Sequence, residues 1–260
     1  MKGGKRVFIK DIAHYLVPPA GEPKIAPSLA VAATATTAAN GAANEAANGA
    51  ANGAANGAPP NGAACGTTTM PPPPKNPTVV PLDRLKEFQW TFLIRDPVRS
   101  IPSYFRCTQP PLAQLTGFDH FLPEEAGYRE LRLLLDYLRA TGVVADGNLF
   151  VLDADDLLEH PAEAVRRYCA HVGIDYSPQM LRWEKGVGCE AFDKWKGFHE
   201  DAIASDGLRK REKKRAGRSL DDEERDWAAK WGPDAAALVR KTVLETTPDY
   251  EYLRSFKQQF

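Results

Sequence analysis

Apolar residues in this chain fall into short runs, and the spacing within each run sets the element it predicts. Arg6-Val-Phe-Ile-Lys10 is a brief apolar stretch between basic residues and reads as a strand. Thr91-Phe-Leu-Ile94 has no helical period, the pattern of a strand covered on both faces. Leu149-Phe-Val-Leu152 is a third run of the same kind. Between these the spacing changes. Leu131, Leu134, Leu135 and Leu138 recur at helical intervals within 126–141, and Gly142 stands where that helix should end. In the segment from Pro161 to Val172, Val165, Tyr168, Cys169 and Val172 share one face. A short helix over 82–88, one from Pro97 to about 106 and a long one from Asp222 to about Glu245 complete the set, with Pro248 to Leu253 docking as a tail. Strand alternating with helix predicts an α/β fold on a three-layer parallel sheet.

The alternation is interrupted once. Residues 30–66 are dominated by Ala, Asn and Gly, with Ala-Ala-Asn-Gly recurring from Ala38 to Gly57, and Met70-Pro-Pro-Pro-Pro-Lys75 follows. Such a segment cannot bury enough apolar surface to offset its ordering entropy. No repeat unit carries a core residue, so the repeats do not describe a solenoid. The chain therefore divides into a first strand with its following segment (1–26), a disordered insertion (27–78) and the remainder of one domain (79–260).

Composition narrows the function. A net charge of −1 gives no reason to expect general binding to nucleic acid or to an acidic membrane surface. The cysteines, Cys65, Cys107, Cys169 and Cys189, have neither metal-ligand spacing nor the density of a disulfide scaffold. They predict reduced thiols and a cytoplasmic protein without a metal. No apolar run approaches the length of a membrane span.

The candidate chemistry sits after the second strand. Asp96-Pro97 supplies a helix start, Asp as cap and Pro at the first helical position. In open α/β sheets ligands bind beyond the carboxyl ends of the strands, which places Arg95 where an anion would lie. Ser103 follows about two helical turns later. A guanidinium fork with a hydroxyl suits phosphate oxygens. Arg95, Asp96, Ser103, Tyr104 and Phe105 resemble the 3′-phosphate-binding motif of the sulfotransferase family. Phe150-Val-Leu152-Asp-Ala-Asp155-Asp156-Leu157, then His160-Pro161 and Val172-Gly173-Ile174, are similar to that family's next strand, Pro-started helix and glycine turn.

The resemblance implies the family's P-loop-type sandwich, and 3′-phosphoadenylyl sulfate (PAPS) as donor of a sulfuryl group to a small hydroxyl or amine acceptor. Arg95 and Ser103 would hold the 3′-phosphate. Trp195 and Lys196 match a loop that closes over the nucleotide, unless Trp195 is a core residue beside a solvated lysine. Lys10 matches a lysine that steadies the transferring group. Ile12 stands where the family has its base; His14, two residues on, is either a replacement base or a surface or capping histidine. No glycine-rich phosphate loop of the family's kind occurs, so the fold is expected to be N-terminally incomplete. The chain is then a sulfotransferase-like enzyme, an inactive protein that kept the fold for interaction, or a truncated P-loop nucleotide-binding relative. The basic run 209–218 contacts the donor, serves as an address or is a solvated loop; Asp153, Asp155 and Asp156 are expected to cap a helix rather than hold a metal.

Overall fold

In the computed structural model, residues 7–18, 74–186, 196–208 and 218–260 are described. The insertion up to residue 73, Trp195 and most of the basic run lie outside them.

Two three-residue strands, β1 (Phe92–Ile94) and β2 (Val151–Asp153), pair in parallel with Phe92 opposite Val151 and Ile94 opposite Asp153. A single bridge from Val151 to Lys257 extends the far edge of β2. Around them lie the helices α1 (Ala13–Leu16), α2 (Leu82–Leu85), α3 (Pro97–Cys107), α4 (Leu112–Thr116), α5 (Tyr128–Ala140), α6 (Ala154–Glu159), α7 (Pro161–Val172), α8 (Glu200–Ile203), α9 (Leu220–Trp231) and α10 (Pro233–Arg254). The molecule is thus mixed helix and small parallel sheet.

The two-residue period of the strands decides where the core lies. Phe92, Ile94 and Val151 point into the main core, where Ile101, Phe105, Leu134, Leu135, Leu138, Val239, Val243 and Leu253 join them. Phe150 and Leu152 point the other way and pack with Ala164 of α7. Across β2 the order is therefore helix, strand, helix. Across β1 it is not: Leu93, in register with Leu152, is 52 % exposed. The expectation that 91–94 is covered on both faces is corrected here, because α7 spans only the β2 side.

Two further expectations change. Residues 7–10 have no regular structure, and the chain turns helical at Ala13, so no strand forms over the described part of 6–10. The closing helix is two helices. α9 opens with a capping box in which Ser219 Oγ accepts from Asp222 N while the Asp222 carboxylate accepts from Ser219 N. It ends at Gly232, whose φ of +88° is the left-handed region glycine tolerates, and Pro233 starts α10 at its first position. α10 then runs on through Pro248 to Arg254, so the expected tail is helical.

Other boundaries follow the pattern closely. α5 stops at Ala140 with Gly142 just beyond, and α7 runs from Pro161 to Val172 with Gly173 after it.

Candidate functional site

Asp96 accepts a hydrogen bond from Val98 N at 2.9 Å, capping α3 as its sequence predicts, with Pro97 first in the helix. That cap fixes the direction in which α3 leaves β1. The turn carrying Arg95 is held from below. Tyr128, on α5, donates its phenol O–H to the Arg95 carbonyl at 2.5 Å and also meets Ser100 Oγ. Burial pushes the Tyr128 phenol up to about 12, so it stays protonated as a donor at neutral pH. Asp153 at the end of β2 is equally constrained. It caps α6 by accepting from Asp155 N at 2.8 Å and accepts from Tyr250 Oη at 2.7 Å, and burial raises its carboxyl above the ordinary aspartate value. Asp155 pairs with Arg99 at 3.2 Å and Asp156 with Lys257 at 2.6 Å. The aspartate cluster is therefore a cap with two ion pairs.

Above this frame lies a cavity of about 460 Å³ lined by both Arg95 and Ser103. Arg99, Arg106 and Lys230 add three cations to its wall, and Trp227 and Trp231 of α9 form an aromatic side. One carboxylate, Asp201, enters it and lies 3.7 Å from Arg106. Pro102 also lines it; lacking an N–H, it leaves the Val98 carbonyl without the usual helical donor. A wall with four cationic side chains against one carboxylate suits a polyanionic ligand. The cavity lies within the usual size range for small-ligand sites.

Sequence reasoning singled out Arg95 and Ser103 but missed Arg99, Arg106, Lys230 and the two tryptophans. The signal was present. Residues 95, 98, 99, 102, 103 and 106 recur at intervals of three and four, one stripe of α3 and the residue leading into it. Trp227 and Trp231 are four apart on α9. What joins the two stripes is the docking of α9 on α3, where the rings of Phe105 and Trp231 lie 5.0 Å apart.

The other predicted residues are placed differently. Lys196 is exposed and does not line the cavity, and its loop packs on α4 and the end of α3. There Gly197 sits at φ +84°, and a Cβ in its place would meet Thr116 Cγ2 at 2.6 Å. Lys10 lies close enough to His199 for its charge, after burial, to help hold that imidazole below its ordinary value. Lys10 and Lys196 thus both lie near the 196–200 loop. His14 does not line the cavity, and its Nδ1 is buried without a hydrogen-bond partner.

Comparison with known proteins gives a family likeness. The sulfotransferase domain family matches residues 139–225, which include β2, α6 and α7. Sulfotransferase ppzF of Metarhizium majus is 29 % identical over 192 residues, covering 69 % of this chain and 56 % of its own length. Sulfotransferase ppzF of Metarhizium rileyi is 29 % identical over 199 residues, with the same coverage of both chains. No solved structure matches. Over these stretches the chain is similar to sulfotransferases. It spans about half the length of the curated relatives it matches.

Proposed function

We propose that this chain binds the nucleotide end of PAPS in the Arg95–Ser103 cavity and takes part in sulfuryl transfer to a small hydroxyl or amine acceptor. The observation that carries this reading is the convergence of Arg95 and Ser103 with Arg99, Arg106 and Lys230 on one cavity. Arg95 presents a planar fork matched to phosphate oxygens, and Ser103 offers a hydroxyl donor. When bound, PAPS supplies the sulfuryl group and an anionic leaving nucleotide; the protein's part here is to hold and orient its 3′-phosphate.

Trp195 and Lys196 are assigned to the nucleotide as well. Lys10 is assigned to the moving group, supported by its closeness to His199 in the loop that follows Lys196. His14 is assigned to the acceptor proton on its sequence position alone. The fold proposed for the whole protein is the three-layer parallel sandwich of the P-loop type, supported by the helix–strand–helix order across β2.

Isothermal titration calorimetry of the 260-residue chain with adenosine 3′,5′-bisphosphate and with adenosine 5′-phosphate tests the reading. The 3′-phosphorylated nucleotide is expected to bind at least about tenfold more tightly, the factor for one charge-assisted hydrogen bond. Equal affinities would remove it.

A further inference from the structure

A second cavity, of about 320 Å³, opens between the start of α5 and the second half of α10, and it shares no lining residue with the first. Four carboxylates reach it: Glu124, Glu130, Glu245 and Asp249. Asp249 is paired with Arg132 at 2.9 Å, and Glu245 lies 3.7 Å from Lys241. Glu130 differs from both. It is only 6 % exposed, it lines the cavity, and no hydrogen bond or ion pair to it occurs among the described residues. Neither of its carboxylate oxygens is sealed from solvent, so a cation entering the cavity would reach a carboxylate that no protein group neutralises.

The rest of the wall offers acceptors. Thr242 Oγ1 donates its proton to Leu238 O at 2.9 Å, and Thr246 Oγ1 donates to Thr242 O at 2.8 Å. With their protons committed, both hydroxyls have only lone pairs left for a ligand. Arg129 is the one cationic side chain in the lining; it is exposed, and as the immediate neighbour of Glu130 on the helix it does not share its face. No group of acidic or imidazole side chains among the described residues is close enough to hold a metal ion. Separated acceptors around a single buried carboxylate match an ammonium group, whose three N–H donors spread over a wider shell.

We propose that this cleft binds a primary ammonium group on a short aliphatic chain. Glu130 accepts its charge-assisted hydrogen bonds, Thr242 and Thr246 complete the shell, and Glu124 steers from the rim. Calorimetry of the full chain with 1,4-diaminobutane at low salt is the test, with 1-butanol and magnesium chloride as comparison ligands. Saturable binding of the diamine, at least about tenfold tighter than either comparison ligand, is expected. Glu130→Gln should weaken it about tenfold or more, since hydrogen bonds to charged groups are the strong ones. Arg95→Ala should leave it unchanged, which separates this site from the nucleotide cavity. No binding of the diamine, equal binding of butanol or magnesium, or undiminished affinity in Glu130→Gln would overturn the proposal. Should Glu130→Gln fail to fold, Thr246→Val keeps the side-chain shape and removes one acceptor. A loss of about threefold or more is then expected, and unchanged affinity overturns the proposal.

Discussion

At the scale of single residues, the Arg95 turn depends on a group outside the cavity that Arg95 lines. Arg95→Ala is expected to cost about 1.5–3 kcal/mol of affinity for adenosine 3′,5′-bisphosphate and almost nothing for the 5′-phosphate, because the role proposed for the guanidinium is to hold the 3′ group. Tyr128→Phe tests the support beneath it. Losing the phenol leaves the Arg95 carbonyl without the 2.5 Å donor, at a cost of about 1–3 kcal/mol of folding stability. If that bond also fixes the turn, the variant should lose part of its preference for the 3′-phosphate while keeping affinity for the 5′-phosphate. Urea unfolding reads the first effect and calorimetry the second. A stability loss with unchanged nucleotide preference would show that Tyr128 serves packing alone.

Among the elements, α7 carries a pH dependence. His171 lies against the Phe150 ring, centroids 4.9 Å apart, and its Nε2 is buried without a partner. Burial holds its imidazole below the ordinary value of 6.5. The unfolded chain therefore takes up the proton at a higher pH than the folded one. This contribution to stability is present above 6.5 and is lost as pH falls from there through the lower folded value. His199, held low by burial and by Lys10, acts in the same direction. The melting temperature should be lower at about pH 5.5 than at about pH 7.5, and His171→Phe, which retains the ring contact, should reduce the difference. An undiminished pH difference in that variant, followed by differential scanning calorimetry, would assign the effect elsewhere.

The molecule as a whole has a small sheet with an uncovered side. Leu93 lies on the face of β1 away from the main core and is half exposed, and β1 pairs with β2 alone among the described residues. An exposed strand edge with an apolar side chain favours association between chains. Leu93→Lys is expected to reduce self-association in light scattering without lowering stability by more than about 0.5 kcal/mol, the usual range for exposed positions. The low-complexity segment should matter little to the fold. Replacing residues 30–66 by a short Gly/Ser linker is expected to leave the melting temperature nearly unchanged, since loop-closure entropy varies slowly with length. A fall of many degrees would mean that the segment packs. No helix among the described residues is long and apolar enough to cross a membrane.

The sequence by itself determined what local chemistry controls. The Asp96 cap and Pro97, the ends of α5 and α7 and the strand at 92–94 all follow from residues adjacent in the chain, because capping and side-chain period act over a few positions. Arg95 and Ser103 were legible for the same reason: one turn and one helix set their separation. Tertiary structure alone decided the rest. Residues 7–10 have strand composition, yet strand formation needs a partner edge, and among the described residues they form no strand. Leu93 and Leu152 share a register, yet only α7 makes one of them buried. Arg99, Arg106, Lys230 and two tryptophans became one cavity only when α9 docked on α3, a contact between segments more than a hundred residues apart. That Glu130, in the first turn of α5, lines a cavity has no trace in its helical position; it depends on α10 packing beside α5.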